Sequence, residues 1–202
     1  MKLYSSPTSP YVRKVHVLLR ETGQLDDVEM VPAGGTAIDP GANPIQLNPL
    51  GKIPTLERPN GTTLYDSRVI CRFLDDRAQA GLYSSGARQW ELLTLEATAD
   101  GLLDAALLAA YETRLRPEDI RFEPWVEGQW AKVVQSLDAI ETRWMSHLSG
   151  PLNIGQVAVG CALGYLDLRF EGRNWRKGHD DLANWSEAFF ARDSMLATIP
   201  QG

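Results

Sequence analysis

The sequence has few of the groups from which metal centres, disulfides and nucleic-acid interfaces are built. Its two cysteines, Cys71 and Cys161, form no CxxC or zinc spacing, and His147 and His179 have no companion ligands at such a spacing. We therefore expect buried free thiols and no bound metal. The 20 Lys and Arg residues are outnumbered by 26 Asp and Glu, and this net charge of −6 argues against a nucleic-acid partner.

Long apolar runs and phosphate-binding loops are also missing. No apolar run reaches the roughly 18 residues that a membrane span requires, and the first residues lack the charged and apolar regions of a signal peptide. With free thiols in a reducing compartment, this pattern predicts a cytoplasmic protein without a membrane partner. The sequence contains no Walker loop, no G-x-G-x-x-G turn and no G-x-S-x-G elbow.

Residues 1–80 have a mixed α/β pattern. Lys2 begins a short strand, and Ser9 followed by Pro10 predicts a helix start, with the helix ending at Gly23. The dipeptide Asn60-Gly61 favours a two-residue type I′ hairpin turn. Further strands are predicted at 28–32, 53–58 and 62–65, and a further helix at 66–78.

The pattern becomes nearly all helical from about residue 87, after a linker at 81–86. We expect long helices at 88–113 and from Pro124 to about His147. A third helix follows Asn153, and Gln156 three residues later predicts a capping box. That third helix is apolar on nearly every face, so it belongs in a core, and its glycines indicate close helix contacts. The sequence thus predicts two domains, 1–80 and 87–202.

Three short segments are candidates for a binding site. Ile53-Pro54 opens a strand, and such a proline is a candidate for a cis peptide bond that exposes the backbone of the preceding residue. Asp66-Ser67 opens a helix, where unpaired N–H groups can bind an anion. Ser9 lies at the positive end of the first helix dipole, where a thiolate would be stabilised. Each segment alone can equally be a helix cap or a strand entry.

The first predicted helix also contains a histidine. His16 falls on the inner side of the predicted helix. We interpret it as a structural histidine whose ring nitrogens are hydrogen-bonded, rather than as a base or a ligand.

In combination, these segments resemble the glutathione S-transferases. The resembling motifs are the first-helix segment 8–15, the stretch Asn48–Leu56 with its proline at Pro54, the pair Asp66-Ser67, and the helix 153–169. The resemblance covers essentially the whole chain. It implies an α/β thioredoxin-like N-terminal domain followed by an all-α C-terminal domain.

The resemblance also implies roles for single residues. Ser9 would be catalytic and would hydrogen-bond the glutathione thiolate, while Tyr4 at the end of the first strand is a second candidate for this role. The backbone of Ile53 would pair with the cysteinyl backbone of glutathione. The full set of glutathione-binding residues would be Ser9, Lys52, Ile53, Pro54, Asp66 and Ser67.

The function implied by the resemblance is that of a detoxifying enzyme. It would conjugate glutathione, its co-substrate, to small hydrophobic electrophiles or use it to reduce hydroperoxides. The electrophile would bind near Leu103, Leu107 and Tyr111 of the helical domain, and the protein would form a homodimer. Thiol transfer ranks lower because position 9 is a serine and not a cysteine. The alternative is a glutathione-binding interaction or stress-response protein with little or no catalysis.

Overall fold

The computed structural model describes residues 1–200, which divide into two units. The first unit comprises residues 1–82 and the segment that begins at Asp193, and the second comprises Tyr83–Arg192. All three strands lie in the first unit, whereas the second unit is helical. This arrangement confirms the predicted combination of an α/β domain with an all-α domain.

The first unit is built on a three-stranded sheet with the order β2-β1-β3. β1 (Lys2–Ser5) runs parallel to β2 (Glu29–Pro32) and antiparallel to β3 (Thr55–Glu57). Leu3 and Leu56 pair across β1 and β3 and are both fully buried, so this pair anchors the sheet in the core.

Two helices pack against each other in this unit. α1 (Pro10–Glu21) begins as predicted, with Ser9 as N-cap and proline in the first turn, and Gly23 just beyond it has φ +66°. That positive φ favours glycine and ends the helix. α2 (Ser67–Ala78) has Asp66 as its N-cap. Both predicted helix starts are therefore confirmed.

The predicted type I′ turn at Asn60-Gly61 is wrong. Neither residue has the positive φ that this turn requires, and the predicted strand at 62–65 reduces to one antiparallel bridge, Leu56–Leu64. The Arg58 guanidinium closes the loop instead, because it donates to the carbonyl and the hydroxyl of Thr62 at 2.9 and 3.1 Å.

The second unit is a helical bundle in which α3 packs along α4 and α6. α6 is buried from Ile154 to Leu166, as its apolar pattern predicts. The helices of this unit are α3 (Arg88–Leu115), α4 (Glu123–Arg143), α5 (Met145–Leu148), α6 (Ile154–Arg169) and α7 (Asp180–Phe190). Short 3-10 turns occur at Leu25–Asp27 in the first unit and at Glu118–Ile120 and Glu171–Arg173 in the second.

The predicted capping box at the start of α6 is only half formed. The Asn153 side chain accepts a bond from the N–H of Gln156 at 3.1 Å, as a cap should. The Gln156 amide does not complete the box, because its Nε2 lies 3.2, 2.8 and 2.9 Å from the carbonyl oxygens of His147, Leu148 and Gly150. Gln156 therefore ties the α5–α6 connection to α6.

A close contact occurs at Gly155, in the first turn of α6. A Cβ at Gly155 would lie 2.6 Å from Cδ2 of Leu95 on α3, which is closer than carbon atoms approach one another. The Leu95 side chain therefore occupies the space that a Cβ at position 155 would take, and it would have to shift to admit one.

A last short helix, α8 (Asp193–Leu196), packs on α1 of the first unit. The buried Arg13 donates to the carbonyl of Met195 at 3.1 Å and to the Thr198 hydroxyl at 3.3 Å. Ser194 donates to the Glu21 carboxylate at 2.5 Å. The sequence-based boundary assigned this segment to the helical domain, whereas its packing groups it with the first unit.

Candidate functional site

The pairing of β1 with β3 brings two of the three candidate segments to one edge of the sheet. Tyr4 pairs with Thr55, so continuing the antiparallel register by one residue places Ser5 beside Pro54. The chain leaves β1 at Ser5 and reaches Ser9 through a short turn. Ser9 and Pro54 therefore belong to the same edge.

The third segment reaches the same edge through the Leu56–Leu64 bridge. Continuing that antiparallel pairing by two residues places Asp66 beside Pro54. The peptide bonds before Pro54 and before Asp66 are both cis. The cis bond at Ile53-Pro54 confirms the sequence prediction, whereas the one at Tyr65-Asp66 was not predicted.

Ser9 combines a capping bond with a free donor. Its Oγ accepts the N–H of Val12 at 3.3 Å, and its carbonyl accepts the N–H of Arg13 at 2.9 Å. A hydroxyl that accepts one bond keeps its own hydrogen for donation. The side chain is half-buried, and the N-terminus of α1 adds a positive field around it. This arrangement suits an anionic partner such as a thiolate.

The backbone of Ile53 is available for pairing with a peptide. Within residues 1–200, neither its N–H nor its C=O has a hydrogen-bond partner. The preceding residue is fixed, because Asn48 Nδ2 and Thr55 Oγ1 each donate to the Lys52 carbonyl at 2.9 Å. Asn48 is 1% exposed, so the loop is held from inside while Ile53 keeps both backbone groups unpaired.

Lys52 presents its side chain to solvent. In the part of the chain that the structure describes, no carboxylate lies at salt-bridge distance from its ammonium group. A cation in this position can attract a carboxylate of a bound ligand.

Asp66 offers a carboxylate at the start of α2. Its two oxygens accept the Arg68 N–H at 3.0 Å and the Arg68 Nη2 at 2.8 Å. Partial burial alone would raise the pKa of this carboxyl, but the hydrogen bonds and charge of Arg68, with the charge of Lys14, lower it below the ordinary value. The carboxylate is therefore ionised at neutral pH and can bind an ammonium group. Ser67 follows as the first residue of α2 and is 2% exposed.

Lys14 is a contributor that sequence reasoning missed. It lies on α1, is 1% exposed, and its charge favours the ionised form of Asp66. The one sequence signal that could have indicated a structural role for Lys14 is its position among the apolar residues of α1, between Arg13 and Val15. Its burial depends on tertiary packing, which the local pattern does not report.

Tyr4 is oriented away from this edge. Its hydroxyl donates to the Glu57 carboxylate at 3.1 Å, and Glu57 pairs with Lys2, at the opposite end of β1 from Pro54. Burial, the hydrogen bond to Glu57 and the charges of Glu57 and Glu29 raise the pKa of the Tyr4 phenol. This geometry favours Ser9 over Tyr4 as the group that meets a thiol.

The interpretation of His16 as a satisfied histidine is wrong. Its Nε2 is buried and has no hydrogen-bond partner within residues 1–200. Burial, together with the charge of Arg20, lowers the pKa of the imidazole, which is therefore neutral at neutral pH.

The assembled site can bind a small peptide at several points. The unpaired backbone of Ile53 can pair with a peptide backbone, the Asp66 carboxylate can bind an amine, and Ser9 can donate to an anion. Within residues 1–200, no group of three or more His, Cys, Asp or Glu side chains is placed so that it could hold a metal ion. No helix in the same residues has the length and apolar character to span a membrane.

Comparison with known proteins identifies the class to which this fold and site belong. The sequence matches the family profile of the glutathione S-transferase N-terminal domain over residues 8–77 and that of the C-terminal domain over residues 123–188. The uncharacterized GST-like protein YibF of Escherichia coli K12 is 32% identical over 205 residues, which cover 99% of this chain and 98% of that protein. The chain belongs to the glutathione S-transferase family, and its first unit is thioredoxin-like.

Solved relatives extend this likeness to the whole structure. A glutathione transferase family member from Pseudomonas fluorescens Pf-5 with bound glutathione is 43% identical, with a TM-score of 0.96 over 100% of this chain and 99% of that one. Another structure of such a member from the same organism, with bound S-(propanoic acid)-glutathione, is 42% identical, with a TM-score of 0.91 over 100% of both chains.

Proposed function

We propose that this protein is a glutathione transferase that conjugates glutathione to a small electrophile, with Ser9 as the catalytic residue. The observation that carries the proposal is the Ser9 hydroxyl at the N-terminus of α1, which keeps its hydrogen while it caps the helix. Glutathione in a relative that is 43% identical over the whole chain supports the choice of co-substrate.

Each group at the sheet edge has a partner on glutathione in this proposal. The backbone of Ile53 pairs with the cysteinyl backbone, with Pro54 shaping the turn. The ionised Asp66 binds the γ-glutamyl amine, and Ser67 at the start of α2 binds the γ-glutamyl carboxylate, since helix N-termini favour anions. Lys52 attracts the glycyl carboxylate. This assignment places the cysteinyl sulfur toward Ser9.

The chemistry is activation of the thiol. The Ser9 hydroxyl donates to the sulfur, and the α1 dipole adds a favourable field, so the thiol pKa falls and more thiolate is present at neutral pH. The thiolate attacks the electrophilic carbon, a C–S bond forms, and the leaving group departs with the electron pair of its bond. The thioether S-(propanoic acid)-glutathione in a relative favours conjugation over hydroperoxide reduction.

The proposal includes assembly and location. We expect a homodimer in the cytoplasm, where glutathione and the free thiols of Cys71 and Cys161 stay reduced. Size-exclusion chromatography with light scattering tests the assembly, and a monomer of 22.4 kDa would refute it.

The central test compares Ser9→Ala with the neighbouring hydroxyl variant Ser6→Ala. Removing the single donor should lower kcat/KM for conjugation by about 10²-fold, and should raise the pKa of bound glutathione, which is followed by the ultraviolet absorbance of the thiolate. Ser6→Ala should leave both quantities near wild type, since the Ser6 hydroxyl bonds with Thr8.

Two outcomes would contradict the assignment. If Ser9→Ala keeps both the turnover and the thiolate absorbance while Tyr4→Phe loses them, Tyr4 is the activating group. If wild-type protein binds glutathione but turns over neither electrophiles nor hydroperoxides, it is a binding protein and the proposed enzyme activity is wrong.

A further inference from the structure

A cavity of about 370 Å³ lies in the first unit, at the end of the sheet opposite to Pro54. The chain enters β1 after Met1 and β2 soon after Asp27, and it leaves β3 at Arg58. Because β1 is parallel to β2 and antiparallel to β3, these three points belong to one edge of the sheet. The residues that line this basal cavity, together with Met1, are Asp27, Arg58, Pro59, Asn60, Phe73 and Arg77.

Arg58 is held in one orientation at the basal cavity and has no acidic partner. Its Nε and Nη2 donate to Thr62, and its Cζ lies 5.2 Å from the centroid of the Phe73 ring. A Cβ at Gly61 would lie 2.8 Å from the same Cζ, so the guanidinium is enclosed on that side as well. Within residues 1–200, its Nη1 donates to no acceptor and no carboxylate lies at salt-bridge distance from it. A ligand would therefore meet a donor that is already ordered, which lowers the entropic cost of binding.

Arg77 is the second cation of the basal cavity, and its charge is balanced by Asp27. Its Nη2 donates to the Asp27 carboxylate at 2.6 Å, and its Nη1 donates to Oε1 of Gln24 at 2.6 Å. Gln24 is 5% exposed and is itself held by a bond from its Nε2 to the Leu74 carbonyl. Each Nη nitrogen carries two hydrogens, so in the described chain one hydrogen on each is unused. The side chains that line the cavity thus carry one net positive charge, that of Arg58.

The composition of the cavity wall matches an organic carboxylate. Guanidinium groups form strong charge-assisted bonds to carboxylates, and a single negative charge balances the single uncompensated cation. A phosphate monoester carries about 1.5 to 2 negative charges at neutral pH and exceeds it. Phe73, one helical turn before Arg77 on α2, and Pro59 supply apolar surface. The cavity volume falls in the range of about 300–1,000 Å³ that is typical of small-molecule sites.

We propose that the basal cavity is a second ligand site, which binds a small organic carboxylate with an apolar body. This inference goes beyond the proposed transferase function and does not depend on it. All the lining residues belong to the first unit, and they lie at the opposite end of the sheet from the edge that Ser9 and Pro54 share.

The test uses 1-naphthoate as the probe. Its binding is followed through the backbone amide signals of residues 58–62 in two-dimensional nuclear magnetic resonance spectra of the whole chain, so that binding elsewhere on the protein is not counted. For a ligand of this size the Kd should be about 1 mM. The uncharged analogue 1-naphthylmethanol should bind about 10-fold more weakly, because it lacks the charge-assisted bonds. The analogue 1-naphthyl phosphate should bind no more tightly than the carboxylate.

Asn60 offers a matched pair of variants that breaks no contact. It lines the cavity, it is exposed, and within residues 1–200 it makes no hydrogen bond. Asn60→Glu adds a negative charge, so the Kd for 1-naphthoate should rise about 10-fold, whereas Asn60→Gln should leave the Kd within about twofold of wild type. Arg58→Gln removes the uncompensated cation and should also raise the Kd about 10-fold. If Arg58→Gln fails to fold, the Asn60 pair still tests the proposal.

Four results would overturn the inference. The signals of residues 58–62 might not respond at concentrations about 10-fold above the expected Kd, or the two Asn60 variants might bind 1-naphthoate equally well. Equal affinity for the alcohol would show that the charge is not recognised, and tighter binding of the phosphate would show that the ligand class is wrong. None of these measurements needs turnover, so they are independent of whether the protein conjugates glutathione.

Discussion

Gln156 should contribute more to the free energy of unfolding than an exposed polar residue of the helical unit does. Its side chain is 4% exposed, and its Nε2 lies within 3.2 Å of three carbonyl oxygens in the α5–α6 connection. An amide has two hydrogens to donate, so Gln156→Met removes at least two bonds, although Asn153 Nδ2 and Trp185 Nε1 still donate to the carbonyls of His147 and Leu148. At about 1 kcal/mol for each bond, the free energy of unfolding should fall by about 2 kcal/mol.

The assay is urea unfolding followed by far-ultraviolet circular dichroism at one protein concentration, since association would shift the midpoint. The matched control is Gln135→Met on α4, an exposed glutamine whose loss should change the free energy by less than about 0.5 kcal/mol. Gln156→Glu should cost more than Gln156→Met at neutral pH, because a carboxylate brings only acceptors toward the carbonyls.

A particular result would refute this reasoning. If Gln156→Met and Gln135→Met change the free energy of unfolding equally, the three short distances carry no net stabilisation. The Leu148 carbonyl also accepts from Trp185 Nε1 at 3.0 Å, and the His147 carbonyl accepts from Asn153 Nδ2 at 3.1 Å, so both keep one partner in the variant. Among the described residues, the Gly150 carbonyl loses its side-chain donor, and because Gly150 is exposed, water can replace that bond.

Three further changes test other parts of the structure. The pKa of His16 is lower in the folded protein than in the unfolded chain, so the unfolded chain binds more protons. The contribution of His16 to the free energy of unfolding is therefore fully present above the unfolded pKa of about 6.5 and is lost as the pH falls below it. His16→Leu should flatten the dependence of the urea midpoint on pH in that range, and an unchanged slope would contradict this. Gly155→Ala should lower the free energy of unfolding by about 1–3 kcal/mol, because the added methyl group overpacks against Leu95. If the effects of Gly155→Ala and Leu95→Ala on this free energy simply add, the two side chains do not collide. Asp66→Asn keeps a capping residue but loses the charge, so KM for glutathione should rise about 10-fold in steady-state kinetics, and an unchanged KM would remove Asp66 from the site.

Features that depend only on local sequence were predictable. Ser9-Pro10 and Asn153 start helices because a short polar side chain next to the first turn satisfies its N–H groups, whatever lies farther away. The cis bond before Pro54 was also within reach, since only proline lowers the cost of that isomer appreciably. The cis bond before Asp66 could not be predicted from local sequence, because Asp66 is not a proline.

Features that depend on distant partners were not predictable. The turn signal of Asn60-Gly61 is strong, yet the guanidinium of Arg58 closes a different loop. Gln156 has the spacing of a capping box, but carbonyls from the preceding connection compete for its amide. The burial of Lys14 arises only when the folded chain surrounds it. In each case the side chain can be identified from the sequence, but its partner is determined by tertiary packing.

The packing of α8 on α1 has a consequence for how the protein is synthesised. The first unit is discontinuous in sequence, since Arg13 and Glu21 bond to residues 194–198. During translation, α1 therefore emerges from the ribosome long before the segment that covers it, and more than a hundred residues of the helical unit are made in between. A fragment that stops near residue 82 would leave the buried guanidinium of Arg13 without these acceptors. The helix that Ser9 caps is therefore covered only after the last part of the described chain has been made.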